Sequence, residues 1–277
     1  METTELLREK IESYYTKYYR DTLNLRDWKT RVRERLCEEE FEVDRLTRIR
    51  QILNIDFRGK KVLVVGVGTG SVVPELHKQG AEVYGIDPAR DAIEIVQLKC
   101  HQHNIPRSRF IPGCAEGIPY PENYFDFIYC FAVLEHVNCV RQSLLNMIRV
   151  VKKNCYIYLL AADYRSIYEN HYKTFMVSDL IPGWVTWNKL WLLYEGRNPS
   201  YFLHGGVNHV DFRDVQQVLI EQDVTFFRTY WNLPERWRDK HLLQHLSIYE
   251  RLRRWMYMRH GIGHNFEIFI LKNSFRG

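Results

Sequence analysis

Gly66, Gly68 and Gly70 follow the apolar run Lys61-Val-Leu-Val-Val65. Glycines there let the chain turn tightly and let a ligand approach the backbone. Asp87 ends the next apolar run, 21 residues after Gly66, where a carboxylate can accept hydrogen bonds from ribose hydroxyls. A helix opening straight after the glycines would add its amide N–H groups and positive dipole end. Together these residues point to a cofactor that contains adenosine. Counted from Gly66, the third glycine position of a dinucleotide fingerprint is Ser71, so that match is imperfect. No Gly-Lys-Ser/Thr occurs in the loop, which excludes a Walker site. Histidine is the natural proton acceptor at neutral pH. His136, His171 and His209 are the candidates, and His204 lies close to the last of them. Each also has a plain reading as a packing or surface histidine. Glu135 reads either as a base or as an orienter of the helix start.

These residues need elements to hold them. From Lys60 onward, short apolar runs alternate with helical segments. Strands are expected at Lys61–Val65, Glu82–Ile86, Arg109–Ile111, Phe125–Phe131, Cys155–Ala162, Val224–Tyr230 and Phe266–Leu271. Helices are expected at Val72–Gln79 (closed by Gly80), Ala89–His103 and Val140–Lys153, and after an Asp211 N-cap through Gln222. Such alternation implies a largely parallel sheet covered on both faces, with ligands at the carboxyl edge of the strands. Ahead of it, residues 3–53 read as two helices separated by a charged stretch around Asp27 and Trp28. Tyr14, Tyr15, Tyr18 and Tyr19 form a tyrosine cluster in the first, suited to core packing for half of them and to a lid. Residues 163–210 break the rhythm with ten aromatic residues and read as an insertion of irregular helices. A basic helix is expected over Glu235–His260; its charges suit a solvated face or an anionic partner.

Three further motifs complete the series. They are Gly113-Cys-Ala115-Glu116-Gly-Ile-Pro119-Tyr120, then Phe125-Asp126-Phe-Ile, then Val133-Leu134-Glu135-His136-Val137. With the glycine loop they resemble class I S-adenosylmethionine-dependent methyltransferases of the small-molecule branch. Members commonly read Gly-Asp-Ala-Glu-x-Leu-Pro-Phe, Phe-Asp and Leu-Glu-His-Val at these places. The resemblance spans residues 60–160 and continues in layout to about 230. It implies a Rossmann-like α/β fold: a seven-stranded, mostly parallel sheet with helices on both faces, an antiparallel last strand and helical lids. Residues 1–57 would form an N-terminal helical cap. Residues 58–277 would form the methyltransferase domain, with insertions at 163–210 and 231–263. It further implies S-adenosyl-L-methionine as cofactor and S-adenosyl-L-homocysteine as product. Gly66, Gly68 and Gly70 would wrap the methionyl part and ribose, Asp87 would hold the ribose hydroxyls, and Pro88 would shape the turn. Cys114, Ala115 and Glu116 would lie near the adenine, and Phe131 would face the sulfonium. An N-terminal helix would bring Tyr14 or Tyr18 over the cofactor. Two positions depart from the pattern. Val64 stands where the family carries Asp or Glu, and Cys114 stands where it carries Asp. Either change removes a charge-assisted hydrogen bond, worth about 1.5–3 kcal/mol.

The expected acceptor is a small molecule or sugar moiety, ring-bearing or anionic, methylated at oxygen with a histidine base. Nucleic-acid or protein methylation is the alternative, but neither an Asn/Asp-Pro-Pro-Tyr/Phe loop nor a Pro-Cys dipeptide is present. A catalytically lost cofactor-binding partner protein is another alternative, motivated by Val64 and Cys114. A nicotinamide-dependent reductase ranks last. The remaining composition fits a globular chain of 277 residues with 45% hydrophobic and 26% charged residues. A net charge of +5 is too mild to argue for nucleic acid. No apolar run reaches the roughly 18 residues of a membrane span. The acidic N-terminus does not read as a signal peptide. Six cysteines without a C-x-x-C pair read as reduced thiols in a cytoplasm. Cys100-His101-x-His103 lacks a further ligand nearby, so no metal site is expected. The 18 Tyr, 14 Phe and 7 Trp concentrate outside residues 60–110, as walls of an acceptor site or as ordinary packing would.

Overall fold

The structure, a computed structural model, describes residues 2–166, 168–169, 174–175, 181–197, 199, 210–222, 224–229, 247–260, 263 and 265–274. The chain opens with α1 (Glu2–Thr16), which runs into a π-helical turn, Lys17–Thr22. Leu7, Ile11, Tyr15 and Tyr19 recur every four residues and form one buried row along both. Helices α2 (Trp28–Leu36) and α3 (Glu38–Leu53) follow. The N-terminal segment therefore holds three α-helices rather than two, and Trp28 opens α2 instead of lying in a spacer. The apolar residues of α2 are too few to announce a helix, so its pattern reads as charged spacer.

The strands are β1 (Lys61–Val65), β2 (Glu82–Asp87), β3 (Phe110–Pro112), β4 (Phe125–Phe131), β5 (Val151–Ala162), β8 (Thr225–Arg228) and β9 (Asn265–Leu271). They form one sheet in the order β3-β2-β1-β4-β5-β9-β8. The first five strands pair in parallel, and β9 runs antiparallel to both of its neighbours. This is the seven-stranded arrangement expected. Strand side chains alternate between faces, and both faces are covered. Val62 and Val64 join one core with α3, α4 (Val73–Lys78) and α5 (Arg90–Gln102). Leu63 and Val65 join the other with α6 (Val140–Val150) and α8 (Phe212–Glu221). That double burial explains why β1 reads as an unbroken apolar run. The Asp211 side chain caps α8 by accepting from the backbone N–H of Arg213 (2.6 Å) and Asp214 (3.2 Å).

Two boundaries differ from the sequence reading. Helix α6 stops at Val150 rather than Lys153, because Val151 already pairs with Phe125 and β5 starts there instead of at Cys155. Residues 163–210 are not purely helical. Their described part holds a hairpin of β6 (Tyr168–Glu169) and β7 (Thr174–Phe175), then α7 (Trp184–Tyr194). Of the basic helix expected over Glu235–His260, the part Ile248–His260 is present as α9; residues 230–246 lie outside the described residues. No helix among the described residues is long and apolar enough to cross a membrane.

The order of the strands matters for function. β1, β2 and β3 proceed outward in one direction, whereas β4 returns to the other side of β1. The connections on either side of β1 therefore diverge, which opens a crevice at its carboxyl end. The N-terminal helices roof this crevice. Leu46 and Ile49 of α3 are fully buried with Val62, Val64 and Phe127 of the sheet, and the row on α1 packs against Ile95 of α5. Truncating Leu46→Ala should cost about 2–5 kcal/mol by leaving a cavity in that shared core. Denaturant unfolding followed by both fluorescence and circular dichroism should show one earlier, still coincident transition.

Candidate functional site

A cavity of about 410 Å³ occupies the crevice. Its floor is the loop after β1. Gly66, Gly68 and Gly70 all have left-handed backbone, with φ of +66°, +52° and +76°. Their surroundings differ. A Cβ at Gly66 would meet Val133 Cγ2 at 2.4 Å, and one at Gly70 would meet Val96 Cγ2 at 2.4 Å, whereas the space at Gly68 is open. Gly68 and Gly66 line the cavity; Gly70 does not, and its side packs against α5. The helix expected to present its dipole here, α4, is only six residues long.

Asp87 lines the cavity at the end of β2. Its Oδ2 accepts from Gly68 N (2.9 Å) and its Oδ1 from Ala89 N (2.9 Å). These bonds fix the carboxylate plane while leaving lone pairs for a ligand. Burial pushes its carboxyl above the usual carboxylate range, against the lowering effect of the two N–H donors. Pro88 lies beside it on the wall. Beyond β3, Cys114, Ala115 and Glu116 line the same cavity. The Glu116 carboxylate, however, turns to the chain itself: Oε1 accepts from Asn138 N (2.6 Å) and Cys139 N (3.2 Å), clasping the segment that leads into α6.

Past β1, the wall passes to Phe131, the last residue of β4 as expected, and to His136. Tyr14, Tyr15 and Tyr18 of the N-terminal segment close the top. The tyrosine cluster divides as its spacing allows: Tyr15 and Tyr19 are buried, Tyr14 and Tyr18 half-buried. The Tyr15 hydroxyl lies 3.2 Å from Thr69 Oγ1, joining α1 to the glycine loop. Burial, aided by the charges of Asp87 and Asp91, pushes the Tyr14 hydroxyl up to about 12. His171 and His209, the other two candidate bases, lie outside the described residues, as does His204. Among the described residues no three His, Cys, Asp or Glu side chains converge as a metal cluster.

Sequence reasoning missed a group of charged residues. Arg35, Glu38 and Glu42 line the cavity from α2 and α3. Glu42 is 2% exposed. Its Oε2 accepts from the Tyr129 hydroxyl (2.8 Å), its Oε1 from Arg45 Nη1 (2.5 Å), and Ser71 Oγ lies 3.3 Å away. Arg45 also donates to the Tyr129 oxygen (2.9 Å) and stands 3.8 Å over the Phe131 ring. Arg35 pairs with Glu38 and donates to the Tyr19 hydroxyl (2.7 Å). Charges spaced three or four apart on helices ordinarily mark a solvated face, and only the docking of α3 onto β4 turns these inward.

A second cavity of about 240 Å³ adjoins the first. Tyr18, Arg35, Phe131, Ala132 and His136 line both.

With this geometry in view, known proteins give a consistent comparison. Residues 63–159 match the family model described as a methyltransferase domain. The likeness to a methyltransferase domain thus covers β1 to β5 and the loops that line the cavity. Among curated relatives, the uncharacterized methyltransferase YcgJ of Bacillus subtilis is 28% identical over 94 residues, 34% of this chain and 37% of that protein. The mitochondrial ubiquinone biosynthesis O-methyltransferase of Schizosaccharomyces pombe is 34% identical over 100 residues, 35% and 36% of the two chains. The matched stretch thus spans little more than a third of these relatives. The crystal structure of Bacillus subtilis YcgJ superposes with a TM-score of 0.54 at 20% identity, covering 81% of this chain and 97% of that one. Magnesium protoporphyrin IX methyltransferase of Synechocystis, solved with bound S-adenosylmethionine, gives 0.51 at 12% identity over 87% and 81%. These likenesses show the Rossmann-like methyltransferase fold.

Removing the Tyr129 hydroxyl (Tyr129→Phe) takes a donor from the buried Glu42 carboxylate and should destabilise the domain by about 1–3 kcal/mol. Urea unfolding of the variant measures this, and a stability within 0.5 kcal/mol of wild type would show that Arg45 alone satisfies Glu42.

Proposed function

We propose that this protein transfers a methyl group from S-adenosylmethionine to a small-molecule acceptor, at oxygen. One observation carries the reading. A single cavity runs from the turn after β3, past Asp87 and the glycine loop, to the end of β4, and a second cavity opens at that last point.

The residues fit the cofactor along this line. Cys114 and Ala115 would flank the adenine, and Asp87 would accept from the ribose hydroxyls. Gly66 and Gly68 give the chain its close approach, and Phe131 faces the sulfur end. The amino-acid end carries both charges, and it would meet Arg35 for its carboxylate and Glu38 and Glu42 for its ammonium. Here the cap replaces what Val64 lacks: a carboxylate absent from β1 is supplied from α3. When bound, S-adenosylmethionine supplies an electrophilic methyl group on a sulfonium sulfur.

The chain contributes alignment, dryness and a place for a proton. Phe131, Ala132 and Tyr18 stand between the cavities and keep water from the transfer point. His136 borders both cavities and takes the proton of an attacking hydroxyl at neutral pH. The ubiquinone biosynthesis O-methyltransferases and the demethylmenaquinone methyltransferase among the relatives agree with a small ring-bearing acceptor. His171 and His209 keep their place as alternative bases.

Titration calorimetry tests the reading. S-adenosylhomocysteine should bind saturably, and Asp87→Ala should weaken it by about tenfold or more, the worth of hydrogen bonds to a charged group. Absence of binding to the wild type would sink the proposal. Because burial raises the Asp87 carboxyl, wild-type affinity should begin to fall on acidification at a higher pH than an ordinary Asp would give, and Asp87→Asn should lose that dependence. The amino-acid end has its own check. Arg35→Met should weaken S-adenosylhomocysteine about tenfold or more while leaving 5′-methylthioadenosine, which lacks that end, unaffected.

A further inference from the structure

Helix α7 is apolar on nearly every side, yet only one side of it is packed. Asn188 and Leu192 are buried, and Trp184 and Val185 half-buried, along one stripe. Leu192 and Trp184 pack there with Tyr15, Tyr19 and Ala162. On the opposite side Trp187, Leu190, Leu193 and Tyr194 are 59%, 53%, 52% and 82% exposed. At 3.6 residues per turn these four share an arc of about 120°, with Leu190 near its middle. A helix apolar all round is ordinarily enclosed, in a core or in lipid, and a contiguous exposed apolar patch marks a docking place. The charges beside it are of one kind. Lys189 is exposed at the flank of the arc. The nearest carboxylate in sequence, Glu195, turns inward, accepting from Thr174 Oγ1 (3.3 Å) and pairing with Arg197 (3.2 Å).

Helix α9 repeats the pattern. Ile248, Leu252 and Trp255, spaced by four and three, are exposed, as are Arg251 and Arg259 around them. The helix carries four arginines against Glu250 alone. Both helices belong to the carboxyl edge of the sheet. α7 packs with Ala162, the last residue of β5, and α9 leads into β9, whose first residue Asn265 pairs with that same Ala162.

The occupant of such a face must be apolar where it meets leucine and anionic where it meets lysine and arginine. A second copy of this chain across a two-fold axis would bring two cationic patches together. A bilayer with anionic headgroups meets both demands: leucines enter the acyl boundary, Trp and Tyr rings sit at headgroup level, and cations face the lipid phosphates. No helix among the described residues can cross a membrane, so the contact is with the surface. We infer that the protein docks on the surface of an anionic lipid bilayer, with the outward face of α7 inserted and the arginines of α9 drawn to the headgroups. This goes beyond the methyltransferase reading and does not depend on it.

The test is co-sedimentation of the full chain with vesicles of phosphatidylcholine alone and of phosphatidylcholine mixed with phosphatidylglycerol. The mixed vesicles should bind about tenfold or more tighter. Leu190→Glu with Leu193→Glu should weaken that binding by about tenfold or more, with Tm unchanged because both side chains are exposed. Arg251→Gln with Arg259→Gln should bring the two vesicle types to within about threefold of each other. Brominated acyl chains in the mixed vesicles should quench the tryptophan fluorescence of the wild type, a readout that needs no variant. Wild-type protein that stays in the supernatant with both vesicle types, or binds both equally, overturns the inference. A leucine variant that binds as wild type overturns the role of α7, and absence of quenching overturns the insertion. Wild type that sediments as a dimer without lipid, while the leucine variant is a monomer, assigns the face to a second copy instead.

Discussion

The buried carboxylate of Glu42 is the constraint around which the site is arranged. It comes from α3 in the N-terminal segment, yet its partners include Tyr129 of β4 and Ser71 beyond the glycine loop. A carboxylate 2% exposed is tolerated only when its oxygens are paired and hydrogen-bonded. Arg45 and Tyr129 meet that need, and Arg45 in turn lies over the Phe131 ring. The helical cap is therefore locked to the carboxyl edge of the sheet by geometry that leaves little freedom. Leu46 and Ile49 supply the apolar contact beneath it.

From that lock follows the division of labour. The sheet and its loops supply one side of the cavity, the parts that would hold a nucleoside in the proposed reading: left-handed glycines, the carboxylate at the end of β2, and the turn after β3. The cap supplies tyrosines and the charges at the other end. Each side alone is open to water; placed together they enclose a cavity in which electrostatic contacts are stronger than in solution. The adjoining second cavity exists for the same reason, since its walls come from the π-helical turn and α2 on one side and from β4, β5 and β9 on the other. A π-helical turn, Lys17–Thr22, sits where α1 must hand over from Tyr15 to Tyr18 and Tyr19, as such turns often do beside binding sites.

Much of the fold could be read from the residues. The strand–helix alternation from β1 to β5 is carried by strong periodicity and by local punctuation such as Gly80, and the helix that follows is announced by its Asp211 cap. Errors fell where local signals compete with long-range pairing. Residues 151–153 continue a helical pattern, but Val151 gains a partner in Phe125 and becomes strand. Residues 28–36 read as charged spacer because the face they bury is narrow. The hairpin within residues 163–175 consists of strands of two residues each, too short for any periodicity to show.

The sequence by itself determined the sheet side of the cavity, because the glycines, Asp87 and Ala115 act close to where they stand in the chain. Their backbone conformations are local, and spacing along two successive strands is enough to bring them to one edge. Tertiary structure alone decided the rest. Whether Glu116 faces a ligand or clasps α6, whether Arg35 and Glu42 are solvated or line a cavity, and whether Glu135 is exposed or buried all depend on which distant element covers them. Burial is a property of packing between segments far apart in sequence, and it is burial that turns an ordinary charged residue into a recognition group.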